Sequence, residues 1–214
     1  MRAVILTSAR SGSTSLFHLI EEHLTNNFTT VSEPFNGYWR GPAGLNTYDV
    51  DFFENKLNVF VKTFVSELQR PKTFWENEDG YWNWFFNYFD KVIILDRVNK
   101  DLQSESLTYH LKKGDRSSWQ KKQFYNLSNI NKEDINQTKD VLIKDSQKMH
   151  SFVDMGYPIV YFEDIFIKKN KQPLIKVFDY LNIELNDELY DKYVLSDKFK
   201  IRLGEGESII RSII

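Results

Sequence analysis

The segment Thr7-Ser8-Ala9-Arg10-Ser11-Gly12-Ser13-Thr14-Ser15-Leu16 gathers the residue types that bind anions. Gly12 admits a phosphate close to the backbone. Ser11, Ser13, Thr14 and Ser15 can donate hydroxyl hydrogen bonds, and Arg10 adds a permanent charge with a forked donor set. Before the segment lies Ala3–Leu6, an apolar run of the kind a strand covered on both faces carries. After it, Leu16, Leu19, Ile20 and Leu24 mark one helical face. A strand–turn–helix order places the turn at a helix N-terminus, where unpaired N–H groups and a partial positive charge attract anions. A Ser-rich N-cap on an ordinary helix is the plainer reading; Arg10 beside the turn and the buried strand behind it favour the anion site. The nucleoside-triphosphate signature G-x-x-x-x-G-K-S/T is not met, because no glycine stands five residues before Gly12 and Ser13 replaces the lysine. The dinucleotide pattern G-x-G-x-x-G is also absent.

Other polar residues follow apolar runs in the same way. Glu33 comes after Phe28–Val31, Lys62 ends Leu57–Val61, and Arg97 follows Val92–Leu95. Ile159–Phe162 reads as another core strand, ending at Glu163-Asp164. Between the runs, Ile135, Leu142 and Met149 recur on one helical face, with Gly156 as a stop. Leu174, Val177, Phe178 and Leu181 form a last amphipathic helix, with Asn182 as its stop. Short apolar strands alternating with helices predict a single α/β domain over residues 1–214, a mostly parallel sheet flanked by helices. Ligands of such sheets bind at the carboxyl ends of the strands. Arg10, Glu33, Lys62 and Arg97 are therefore expected to share one site.

The 214-residue chain carries a net charge of -2, which gives no global basic field for a nucleic-acid polymer. The absence of cysteine excludes disulfides and thiol chemistry and is compatible with a cytoplasmic location. The N-terminal apolar run is too short for a signal peptide or a membrane span. His18, His23, His110 and His150 lack metal-ligand company in sequence and are expected to be structural or surface residues. Tyr81–Phe89, with Phe74-Trp75 before it, is rich in aromatic rings; core packing is the expectation, and an exposed Trp75 or Trp82 would point to an acceptor surface.

Thr7–Leu16 resembles the 5′-phosphosulfate loop of the sulfotransferases. That loop runs Ser/Thr, any residue, Pro/Ala, Lys/Arg, Ser/Thr, Gly, two hydroxyl residues, any residue, then Leu/Trp. The Arg-Ser-Gly-Ser form is similar to the carbohydrate sulfotransferases and their bacterial glycolipid-type relatives. A second signature of that family is an arginine at a strand end and a serine on the next helix, which hold the 3′-phosphate of the co-substrate. Arg97 falls at the arginine. Glu105 stands eight positions on, where most members have the serine, and Gln103-Ser104-Glu105-Ser106 fits the longer spacing. Ser106 is then the expected ligand, with Ser104 as the alternative. Ser32-Glu33-Pro34-Phe35 resembles the family's Glu-Pro segment, and Lys62-Thr63 its Lys-Thr pair. Phe64 stands where the cytosolic members place a histidine base, which points to Glu33 instead. Val160-Tyr161-Phe162-Glu163-Asp164-Ile165 resembles the family's late Tyr-Glu-Asp-Leu strand, whose acidic residues organise structure. Lys198–Gly204 is loosely similar to the basic C-terminal loop.

The resemblance implies a P-loop-like sulfotransferase fold and a sulfuryl transfer from 3′-phosphoadenosine 5′-phosphosulfate (PAPS) to a hydroxyl or amine of a carbohydrate, glycolipid or small molecule, with no metal. It implies Glu33 as base, Arg10 and Lys62 as catalytic cations, and Arg10, Ser11, Gly12, Ser13, Thr14, Ser15, Arg97 and Ser106 as co-substrate ligands. The rival readings are a P-loop-type kinase of nucleosides or small molecules and a non-catalytic nucleotide-binding relative.

Overall fold

A computed structural model describes residues 1–24, 27–34, 53, 55–68, 78–112 and 131–196. Five strands form one sheet in the order β2-β3-β1-β4-β5, and every pair is parallel. They are β1 (Arg2–Thr7), β2 (Thr29–Ser32), β3 (Val59–Phe64), β4 (Lys91–Asp96) and β5 (Ile159–Tyr161). The helices are α1 (Ser13–Glu21), α2 (Val65–Leu68), α3 (Glu78–Tyr88), α4 (Lys100–Lys112), α5 (Lys132–Ser151), α6 (Gln172–Leu181) and α7 (Asp187–Tyr190).

The alternation of side chains along each strand sends β1 into two cores. Ala3 and Ile5 pack with Leu16, Leu19 and Ile20 of α1 and Val177 and Phe178 of α6. Val4 and Leu6 pack on the other face with Trp82 and Phe85 of α3 and Met149 of α5. Both faces are thus covered by helices, which is why the strands read as continuous apolar runs. Trp82 is buried against Phe152 at 4.7 Å between ring centroids, so this part of the aromatic run is core. Trp75 and Phe74 lie outside the described residues.

Several expected boundaries shift. β3 begins two residues later than Leu57, which is exposed, and runs on to Phe64, so Lys62 sits inside the strand. β5 ends at Tyr161, and Phe162 opens a π-helical turn over Glu163–Ile167. α6 is not the last helical element: α7 follows it and continues as a second π-turn over Asp191–Leu195, whose Tyr193 and Val194 join the α1 core. Gly156 closes a 3₁₀ turn after α5 with φ +88°, and Asn182 ends α6 at φ +57°, both left-handed stops.

The chain leaves β1 through α1 toward β2 and leaves β4 toward β5, in opposite directions along the sheet. β1 and β4 are hydrogen-bonded neighbours, with Thr7 opposite Leu95. The crevice beyond their carboxyl ends is a topological switch point, the place where open α/β sheets hold ligands.

Candidate functional site

The turn leaving β1 is fixed from below. The Thr7 hydroxyl donates to the Leu95 carbonyl at 2.8 Å and lies 2.5 Å from the Ser11 hydroxyl. Ser11 is buried, and its hydroxyl is engaged by Thr7 inside the turn. Arg10 and Gly12 both take left-handed backbone angles, φ +62° and +79°. Gly12 is the N-cap of α1, where no side chain accepts from the first-turn amides. Helices α5 and α7, by contrast, are capped by Asn131 and Asn186 side chains. A methyl group at position 12 would lie 2.5 Å from Phe162 and 3.2 Å from Phe166, so the turn rests directly on the π-helical segment.

The two arginines meet in the crevice. Arg10 Nε donates to Ser106 Oγ at 3.0 Å, and Arg97 Nη1 donates to the Arg10 carbonyl at 3.2 Å. The Arg97 guanidinium lies over the Phe162 ring at 4.5 Å. Its Nε is buried with no hydrogen-bond partner among the described residues, and Glu163 Oε1 stands 3.9 Å away. Burial lowers the Arg97 pKa from its ordinary value, Arg10 adds to the lowering, and Glu163 opposes it. The Glu163 carboxylate also accepts from Val98 N at 3.0 Å and Asn99 N at 2.9 Å. It therefore organises the entry to α4.

On the β3 side, Lys62 is buried and its Nζ reaches Glu33 Oε1 at 2.6 Å and Thr14 Oγ1 at 3.3 Å. Glu33 follows β2 at φ +59°, a left-handed position that a non-glycine residue adopts at a cost. Its backbone N–H donates to the Lys62 carbonyl at 2.6 Å, which holds the turn beside β3. Thr14 links the two halves, since it lies on the first turn of α1.

The structure thus brings Arg10, Gly12, Thr14, Lys62, Glu33, Arg97 and Ser106 to one end of the sheet. Ser13 is buried on α1, and Ser15 is half-buried there. Ser104 does not join them: it is buried and donates to the Asp101 carbonyl within α4. Phe35 and Lys198–Gly204 lie outside the described residues. Three histidines have other partners: His18 meets Glu21 at 2.9 Å, His23 meets the Leu19 carbonyl at 2.6 Å, and His150 meets Asp96 at 3.2 Å. No cluster of three or more side chains able to hold a metal occurs among the described residues.

Sequence reasoning missed the support beneath the site. Asp96 is buried and accepts from Arg97 N, Lys100 Nζ, Ser146 Oγ and His150 Nε2. Lys100 Nζ also reaches the Arg97 carbonyl at 2.5 Å and Gln103 Oε1 at 3.2 Å. A signal existed in Asp96, a charged residue directly after four apolar ones, the usual sign of a carboxylate with a structural duty at a strand end.

Among the described residues no helix is long and apolar enough to cross a membrane. No protein-family model matches the chain, and no curated protein does.

Proposed function

We propose that the chain is a PAPS-dependent sulfotransferase with a P-loop-like sulfotransferase fold. One observation carries the reading: the loop guanidinium of Arg10 is hydrogen-bonded to Ser106, while Arg97 donates to the Arg10 carbonyl. Two cations and a hydroxyl from sequence-distant segments converge at the switch point between β1 and β4, with the uncapped start of α1 beside them. An anion there would relieve the repulsion between the guanidinium groups. These features suit a ligand with two anionic groups, such as the 5′-phosphosulfate and 3′-phosphate of PAPS.

When bound, PAPS supplies the sulfuryl group. Glu33 takes the proton of the acceptor hydroxyl or amine as that atom bonds to sulfur. The bond between sulfur and the phosphate oxygen breaks, and the amides of Gly12, Ser13 and Thr14, with Arg10, stabilise charge on that oxygen. Lys62, whose Nζ reaches Glu33 and Thr14, would serve the bridging oxygen. Fixed donors need no rearrangement as charge develops, which makes this catalysis by preorganisation and positioning.

The test is transfer of labelled sulfate from PAPS to a panel of glycans, glycolipids and phenols. The reading expects label in one acceptor class and matching release of 3′-phosphoadenosine 5′-phosphate. Tight binding of that nucleotide with no label moved would favour the non-catalytic relative.

A further inference from the structure

We infer that Gln103 is a positioning residue that sets the peptide planes of the anion-binding turn. Gln103 lies on α4 and is fully buried. Both protons of its side-chain amide go to the turn: Nε2 donates to Ser8 Oγ at 2.9 Å and to the Ala9 carbonyl at 2.6 Å. Its Oε1 accepts from Lys100 Nζ at 3.2 Å, which fixes the amide the right way round. Lys100 is itself held by Asp96 at 2.6 Å, so the arrangement is anchored to the end of β4.

The consequence follows from peptide geometry. All described peptide bonds are trans, so a carbonyl and the next N–H point in opposite directions. Drawing the Ala9 carbonyl toward α4 turns the Arg10 N–H away from it. Arg97 does the same one residue later by holding the Arg10 carbonyl, which turns the Ser11 N–H. The backbone between the strand and Gly12 is thereby held in the left-handed shape at Arg10, and that shape carries the Arg10 side chain across to Ser106. Gln103 itself meets no reacting atom in this account and acts through the turn.

The inference deepens the sulfotransferase reading but has a readout that does not depend on it. Gln103→Glu keeps the size of the side chain and removes the donor facing the Ala9 carbonyl. Amide hydrogen exchange at Ser15 and Leu16, whose N–H groups donate to the Gly12 carbonyl, is expected to show protection roughly ten-fold or more below the wild type's at pH 8. Near pH 4 the introduced carboxyl regains a proton to donate, and protection should recover relative to the wild type. A purely packing role would show no such recovery. Gln103→Leu should lose protection at both pH values; if neither Gln103→Glu nor Gln103→Leu folds, Lys100→Met, which frees Gln103 Oε1, should give a smaller loss of the same kind. Unchanged protection in the variants that fold, or a loss in Gln103→Glu that ignores pH, overturns the inference. Calorimetry with 3′-phosphoadenosine 5′-phosphate separates it from the wider reading. A wild type that binds and a Gln103→Glu variant that binds roughly ten-fold more weakly at pH 8 support both. A wild type that does not bind removes the sulfotransferase reading and leaves the exchange result to decide on Gln103.

Discussion

Arg10 Nε and Ser106 Oγ are 3.0 Å apart although 96 positions separate them in the chain. Their hydrogen bond joins the turn after β1 to the helix after β4, and it crosses the crevice proposed for the nucleotide. A guanidinium so placed can serve both ends of a ligand with two anionic groups. Arg10→Ala is therefore expected to lower sulfate transfer about a hundred-fold or more, the usual loss when one preorganised donor group goes. Arg10→Lys should recover only part of it, because an ammonium has no forked donor set. Turnover measured on any accepted acceptor checks this, and near wild-type rates in Arg10→Ala would remove Arg10 from the chemistry.

Arg97 has a different duty. Its guanidinium touches the Arg10 carbonyl and the Phe162 ring while its Nε lacks a partner among the described residues. Arg97→Ala should weaken 3′-phosphoadenosine 5′-phosphate more than adenosine 5′-phosphate, since only the former carries the 3′-phosphate. Calorimetry with the two nucleotides gives the comparison. An equal loss for both would show that Arg97 shapes the turn without meeting the 3′-phosphate.

Gly12→Ala meets two penalties at once: a left-handed φ of +79° and a methyl group 2.5 Å from Phe162. The backbone cost alone is about 1–3 kcal/mol. Denaturant unfolding should show a loss at least that large, and Phe162→Leu in the same chain should return the steric part. Failure of the double variant to recover any stability would place the whole cost in the backbone.

Glu33→Gln leaves Lys62 buried without its carboxylate partner, a change expected to cost about 1–3 kcal/mol of stability. Lys62→Met combined with it should be less destabilising than the sum of the single changes, because the pair is coupled. Affinity for the nucleotide should persist in Glu33→Gln while transfer falls. Full transfer activity in that variant would exclude Glu33 as the base.

Asp145 gives a pH signature. Burial above all, opposed by Lys100 and helped by the charge of Asp96, raises its pKa to about 6. The folded protein thus holds this proton more tightly than the unfolded chain, whose carboxylate titrates near 4. Its contribution to stability is complete below that lower value and is lost as pH rises through about 6. Asp145→Asn should therefore gain stability over the wild type at pH 7–8, by up to ~3 kcal/mol, and lose the advantage near pH 4. Thermal unfolding at several pH values would reveal it; a constant offset would contradict the assignment.

The sheet was legible because β1 and β4 are buried on both faces and leave unbroken apolar runs. The polar residues after those runs were legible for the same reason: a charged side chain next to a buried strand stands out. Lys62 was harder, since it is a lysine enclosed within β3 and reads locally as a strand end. Gln103 stood out only as part of the segment ending at Ser106; its own role left no local mark, because its partners, the Ser8 hydroxyl and the Ala9 carbonyl, lie more than ninety residues away. The contact between the Ser11 and Thr7 hydroxyls left no trace in the sequence, because it depends on the inward turn of both side chains. The rest of Phe162 on Gly12 depends on where β5 ends, which apolar patterning does not resolve.

The most direct measurement is calorimetric binding of 3′-phosphoadenosine 5′-phosphate against ATP with magnesium. The account expects the bisphosphate nucleotide to bind and ATP with magnesium to compete poorly. Preferential binding of ATP with magnesium would contradict it and identify the crevice as a kinase site.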